Sequence, residues 1–115
     1  MVAISKPGEI VPGADFYDYA DKYEDGATLH IPAELSDAEI ETVQSLTADV
    51  FSLMRCRSLA RIDFFYDSEG AGWLVNEINT MPGFTPISMY PKLWQESGVS
   101  YQELIVQLLE SAIKQ

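Results

Sequence analysis

The chain has 115 residues, 47% of them hydrophobic, with a formal net charge of −11. That length suits one compact domain or one piece of a larger protein, and the apolar content is too high for a disordered acidic tail. The acidic balance argues against binding the phosphate backbone of DNA or RNA, and no apolar run reaches the roughly 20 residues that span a membrane.

The N-terminal stretch MVAISKPG lacks the basic start and apolar core of a signal peptide. Cys56 is the sole cysteine, so no internal disulfide can form; that fits a reducing cytoplasm. Taking the elements in chain order, VAISKPGEIVP predicts two short strands around a turn at Pro7-Gly8. GADFYDYADKYEDG has no clean period and reads as a long loop of the kind that carries function. TLHIP is a short strand that Pro32 ends.

Ser36 and Glu39 form a capping box that opens a helix. Ile40, Val43, Thr47, Val50, Phe51 and Met54 follow at helical spacing as its core-facing stripe. ARIDFFYD and GWLVNEINT are strand-like and are joined by the Gly-rich DSEGAG, which predicts a hairpin. After a loop, Ser100 opens a last helix with a capping box to Glu103 and a stripe of Tyr101, Leu104, Ile105, Leu108, Leu109 and Ala112. The expected fold is α+β, a mostly antiparallel sheet covered by two helices.

Alternation sets Arg61, Asp63 and Phe65 on one face of the first hairpin strand. In the second strand it sets Val75, Glu77 and Asn79 on one face and Leu74 and Ile78 on the other. Asn76 then falls among the apolar residues, and the pattern offers no reason for it. Pairing the polar faces antiparallel puts Asp63 opposite Glu77 and Arg61 opposite Asn79. Like charges directly opposite one another are destabilising. Protonation, a bridging Arg61 or a bound cation would each relieve them. The oxygen-only donor set suits Mg²⁺, and a plain salt-bridge cluster around Arg61 accounts for the same spacing.

RIDFF followed by VNEINTMPGFTPISMYPKLW closely resembles the C-terminal signature of the D-alanine:D-alanine ligases, in the ATP-grasp superfamily. FYDYADKY, at residues 16–23, is similar to the mobile loop of that family. The resemblance covers essentially the whole chain and implies that residues 1–115 are a C-terminal ATP-grasp subdomain. The family's N-terminal and central domains, which supply first-substrate contacts, lysines and much of the adenine pocket, lie outside this sequence.

The resemblance implies ATP and two Mg²⁺ ions, or Mn²⁺ in their place, held by Asp63, Glu77 and Asn79. It makes Arg61 the group that stabilises the transferring phosphoryl and the later oxyanion, with the Gly83 N–H as the second oxyanion donor. Ser88 would bind the carboxylate of the second D-alanine. Lys22 would reach toward phosphate, and Tyr23 would close over the site and favour an amine acceptor over D-lactate. Phe16 and Phe65 would contact the adenine. The implied reaction joins two D-alanines through an acyl phosphate, for peptidoglycan precursors, in a cytoplasmic enzyme that is a homodimer. The isolated chain is expected to be inactive, and the competing reading is a non-catalytic module that binds Mg-nucleotide.

The remaining residues have plainer expectations. His30, Cys56, Trp73, Trp94, Met81 and Met89 read first as packing, and Glu24, Asp25 and Asp37 as a solvated acidic face. Tyr17 and Tyr19 either shape the loop or cover it.

Overall fold

The computed structural model describes residues 2–11 and 28–114. Two short strands come first, β1 (Glu9–Val11) and β2 (Thr28–His30). Helix α1 (Asp37–Leu53) follows, then the hairpin strands β3 (Arg61–Asp67) and β4 (Gly72–Asn79). Two further helices close the chain, α2 (Met89–Glu96) and α3 (Tyr101–Lys114). The class is α+β as expected, and among the described residues every strand pairing is antiparallel. The strands form two separate two-stranded sheets, β1-β2 and β3-β4.

The two expected N-terminal strands reduce to one. Upstream of Glu9 the backbone finds other partners: Lys6 N–H donates to Ser97 Oγ at 2.8 Å, and Pro7 C=O accepts from Ala33 N–H at 2.8 Å. With those bonds spent elsewhere, residues 2–8 make no ladder.

Helix α1 begins as its sequence predicts. Glu39 N–H donates to Ser36 Oγ at 3.2 Å, and Ser36 N–H donates to Glu39 Oε1 at 2.9 Å. Of the expected stripe, Val43 is buried and Ile40, Thr47, Val50 and Phe51 are half-buried. Met54 is exposed, because the helix has already ended there.

The end of α1 is a Schellman turn: Arg55 N–H donates to Ser52 C=O and Cys56 N–H to Phe51 C=O. The C′ residue, Arg55, has φ 54°. That left-handed region costs a side-chain-bearing residue roughly 1–2 kcal/mol. Arg55→Gly is therefore expected to stabilise the protein by about 0.5–1 kcal/mol, offset in part by the freer unfolded chain. Urea unfolding midpoints check it, and a loss of stability would contradict it.

Helix α2 was not expected. The segment before Ser100 reads as a loop, yet Pro91 lies in the first turn of α2, where its missing N–H has no intrahelical partner to lose. It is almost wholly buried. Gly98, with φ 96°, closes α2 in a second Schellman turn: Gly98 N–H donates to Gln95 C=O and Val99 N–H to Trp94 C=O. Glycine suits this position because it alone takes that backbone freely. Ser100 Oγ then accepts from Glu103 N–H at 3.2 Å and starts α3.

Among the described residues the buried positions are Ala33, Val43, Pro82, Tyr90, Pro91 and Leu104. Between α2 and α3 an aromatic cluster forms. Phe84 packs at ring-centroid distances of 5.9 Å from Tyr90 and 5.5 Å from Tyr101, and Tyr101 OH donates to Phe84 C=O at 2.8 Å. Burial pushes the Tyr90 hydroxyl above its ordinary pKa, against an opposing hydrogen bond with Trp94.

The back of the hairpin carries a second cluster. Tyr66 stacks on Trp73 at 3.9 Å, Phe64 meets Trp73 edge-on at 6.0 Å, and Tyr66 OH donates to Glu39 Oε2 at 2.5 Å. That bond, together with the Ser36 backbone and side-chain bonds, holds the Glu39 carboxyl below its ordinary value of 4.5. It also raises the Tyr66 hydroxyl above 10.0.

The sign of the pH dependence follows by linkage. A depressed carboxyl contributes stability above about 4.5 that is lost as pH falls through its folded value. A raised phenol contributes below about 10.0 and loses it as pH rises through its folded value. Tyr66→Phe is thus expected to lower stability most between those limits, with the difference from wild type shrinking on both sides. Unfolding midpoints across pH measure it; a pH-independent difference would contradict the bond.

Candidate functional site

The hairpin register places the polar face. Arg61 lies opposite Asn79, Ile62 opposite Ile78 and Asp63 opposite Glu77, as alternation predicts. The pattern then breaks: Phe64 pairs with Val75, leaving Asn76 as the extra residue of a β-bulge. Asn76 needs no place in the alternation, which explains a polar residue that the regular pattern could not accommodate.

The bulge also corrects the faces. Beyond it, Phe65 pairs with Leu74 and Tyr66 with Trp73. Directly opposed residues share a face, so Leu74 joins Arg61, Asp63 and Phe65, and Val75 leaves that face for the Phe64 side. Phe65 and Leu74 are 55% and 49% exposed and form an apolar step beside the charged residues.

Arg61 holds the face together. Its Nε donates to Asp63 Oδ1 and its NH2 to Asp63 Oδ2, both at 2.9 Å, a bidentate fork. The same NH2 lies 3.6 Å from Glu77 Oε1. One guanidinium thus offsets two carboxylates that would otherwise repel across the strands. The side chains of Arg61, Asp63 and Glu77 are 19%, 27% and 43% exposed, so the cluster opens to one side. At the strand end, Asn79 Oδ1 accepts from Met81 N–H at 3.0 Å. This orients the amide and leaves its oxygen a second lone pair.

A second group lies just downstream. Ser88 precedes α2, but its hydroxyl makes no capping bond. Instead Ser88 Oγ accepts from Thr85 N–H at 3.0 Å and lies 2.7 Å from Thr85 Oγ1. A Cβ on Gly83 would come within 3.2 Å of Ser88 Oγ, so the Gly83 backbone and the Ser88 hydroxyl adjoin one small space. Sequence reasoning missed Thr85 as the partner of Ser88. The signal available was its three-residue spacing, which suits a turn closed by side-chain hydroxyls.

The structure therefore groups Arg61, Asp63, Glu77 and Asn79, sets Phe65 next along the same strand face, and pairs Gly83 with Ser88. Phe16, Lys22 and Tyr23, with Tyr17 and Tyr19, lie outside the described residues. Among the described residues no three His, Cys, Asp or Glu side chains converge to hold a metal. The available set is two carboxylates and a carboxamide oxygen on one strand face. These hard donors fit a Mg²⁺ that draws its remaining ligands from water and phosphate. His30 sits away from this set, with Nδ1 3.4 Å from Glu34 Oε1. Cys56 is half-buried. No helix among the described residues is long and apolar enough to cross a membrane.

The fold gives the class first: it is α+β, and its neighbours among solved structures are D-alanine ligases, of the ATP-grasp type. The model of the family described as D-ala D-ala ligase C-terminus matches residues 1–110, and the chain belongs to that family. It is 52% identical over 114 residues to a D-alanine--D-alanine ligase of Oceanobacillus iheyensis, covering 97% of this chain and 31% of the relative. Among solved structures it is similar to the D-alanine-D-alanine ligase from Coxiella burnetii. The TM-score there is 0.79 and the identity 41%, over 96% of this chain and 28% of that one. It is also similar to the Bacillus anthracis D-alanine--D-alanine ligase complexed with ATP, with a TM-score of 0.69 and 25% identity over 76% of this chain and 30% of that one. The chain spans about a third of the length of these relatives.

Proposed function

We propose that this chain is the C-terminal ATP-grasp subdomain of a D-alanine:D-alanine ligase. The whole enzyme would join two D-alanines at the expense of ATP, for peptidoglycan precursors in the cytoplasm, and would be a homodimer through parts outside this chain. The observation that carries the reading is the register, Asp63 against Glu77 with Arg61 against Asn79, on a chain of that family. The small core supports the subdomain assignment. Phe65, Leu74 and Val75 lie exposed on both faces of the hairpin, with Met81 and Ile87 beyond it. So much uncovered apolar surface suits a piece packed against further protein.

The carboxylate of one D-alanine attacks the γ-phosphorus of ATP, giving an acyl phosphate and ADP. The amine of the second then attacks that carbonyl, and inorganic phosphate leaves with the carbonyl restored as an amide. Asp63, Glu77 and Asn79 would hold Mg²⁺, which supplies charge neutralisation to the ATP phosphates.

The chain's own groups act at both stages. Once the two carboxylates have other cationic partners, the Arg61 fork is released to donate to the transferring phosphoryl and then to the oxyanion. The Gly83 N–H is the second oxyanion donor, and the absent side chain lets its backbone approach closely. The Ser88 hydroxyl, unused as a helix cap, turns to the carboxylate of the second D-alanine. Phe65, with Leu74 beside it through the bulge, offers an apolar contact for adenine. Lys22 keeps the role of reaching phosphate, Tyr23 of closing over the site, and Phe16 of contacting the adenine. By excluding water, a closed loop would spare the acyl phosphate from hydrolysis.

Phosphate release with ATP, Mg²⁺ and D-alanine tests the proposal. The full-length protein is expected to release phosphate only when D-alanine is present, and the 115-residue chain to release none. Nucleotide binding without D-alanine-dependent turnover in the full-length protein would favour the non-catalytic module.

A further inference from the structure

We propose that Thr85 is a positioning residue for the acceptor side of the site: it fills the lone pairs of the Ser88 hydroxyl and so leaves that group to donate its proton to the carboxylate of the second D-alanine. This rests on the ligase reading above. Ser88 stands at the N-cap of α2, where a serine oxygen ordinarily accepts from the N–H of the second or third helical residue. Those residues are Tyr90 and Pro91, and Pro91 has no N–H to give. Ser88 Oγ makes no capping bond. It turns back along the chain to Thr85 instead.

Three contacts join the two residues. Thr85 C=O accepts from Ser88 N–H at 3.0 Å, and Thr85 N–H donates to Ser88 Oγ at 3.0 Å. Thr85 Oγ1 lies 2.7 Å from Ser88 Oγ. The first two use the Thr85 backbone, so they hold the turn whatever side chain stands at position 85. Pro86 follows Thr85 and suits the second position of such a turn, where φ is fixed near its ring value. Thr85 is exposed, so its side chain is no part of the buried core. What the hydroxyl adds is the third contact alone.

The direction of that contact follows from counting. A serine hydroxyl has one proton and two lone pairs. The Thr85 N–H occupies one lone pair. If Ser88 donated to Thr85 Oγ1, its proton would be spent, and the hydroxyl would offer an incoming carboxylate only a lone pair. If Thr85 donates, both lone pairs are filled and the Ser88 proton is left over. A bound carboxylate selects the second arrangement. Thr85 O–H, Ser88 O–H and the carboxylate then form a chain running one way, in which each bond polarises the next. The backbone of Gly83 borders the same oxygen, since a Cβ there would lie 3.2 Å from it. None of the three contacts reaches Arg61, Asp63 or Glu77 on the nucleotide side.

The test uses the full-length protein and measures dipeptide formation with D-alanine and ATP varied separately. Thr85→Val keeps the shape and the backbone bonds and removes only the hydroxyl. It is expected to raise the KM for the second D-alanine about three- to tenfold, the worth of one hydrogen bond. The KM for ATP should stay within about twofold. Thr85→Ala, which also lacks the hydroxyl, should behave as Thr85→Val does. Thr85→Ser returns the hydroxyl and is expected to restore the acceptor KM. In a Ser88→Ala background, Thr85→Val should add no further rise, because Thr85 acts only through Ser88.

An unchanged acceptor KM in Thr85→Val, an equal rise in both KM values, no rescue by Thr85→Ser, or a further rise in Thr85→Val/Ser88→Ala would each overturn the inference. So would a wild-type acceptor KM in Thr85→Ala, which would assign the effect of valine to its shape. If the wild-type protein forms no dipeptide from D-alanine, the ligase reading itself fails. That outcome is separate, because all the others require an active wild type.

Discussion

Glu77→Gln in the full-length protein is expected to lower kcat by about 100–1000-fold or more while leaving its stability nearly unchanged. The two effects separate because of how Arg61 is held. Asp63 takes both of its 2.9 Å bonds, whereas Glu77 stands at 3.6 Å. Removing the Glu77 charge weakens its half-exposed 3.6 Å pairing with Arg61 and relieves its repulsion with Asp63, and exposed pairs of this kind are worth about 1 kcal/mol or less. On the proposed ligase reading catalysis loses much more, because Glu77 would then face the metal and phosphates where charge is moving, and such terms are large in a water-excluded site.

Asp63→Asn should lose activity to a similar degree, and in addition about 1–3 kcal/mol of stability, since both bonds of the fork then lose their charged acceptor. Steady-state kinetics and unfolding midpoints on the two variants check the contrast. If Glu77→Gln retains kcat within about tenfold of wild type, the cation assignment of this face is wrong and the cluster is only an ion pair.

Leu104→Ala is expected to cost about 2–5 kcal/mol, the range for truncating a buried leucine. Leu104 is 4% exposed on α3, so its loss leaves a cavity in the buried core. Native domains are only marginally stable, so the urea midpoint should fall by about 1 M or more. Leu109→Ala is the control. Both leucines belong to the same apolar stripe by spacing, but Leu109 is exposed, and its truncation should stay within about 0.5 kcal/mol. Equal effects at the two positions would place the core of this region elsewhere.

The two leucines also mark a limit of periodicity. Spacing identifies which residues share a side of a helix, but how much of that side is covered depends on what packs there. Met54 makes the same point at the end of α1, where the Schellman turn at Arg55 stops the helix before the stripe is complete. Helix α2 was invisible because the residues that define it, Ser88 and Pro91, carry opposite signals depending on whether a helix begins there.

Much of the candidate site was legible in the sequence for a physical reason. A strand has a period of two, so Arg61-x-Asp63 and Glu77-x-Asn79 each share a face whatever surrounds them, and an antiparallel hairpin then opposes them. The capping box of α1, set by residues three apart, was legible in the same way. The sequence by itself also carried the family, through motifs spread from the loop to the last strand and the segment beyond it.

Non-local contacts decided the rest. The bulge at Asn76 depends on how β4 meets β3, and it alone moves Leu74 onto the site face and Val75 off it. The bidentate hold of Arg61 on Asp63 is likewise a matter of side-chain packing that spacing does not report. The seating of Gly8 against Leu93 joins residues 85 positions apart, and no local period reports a contact between segments whose approach is set by packing alone.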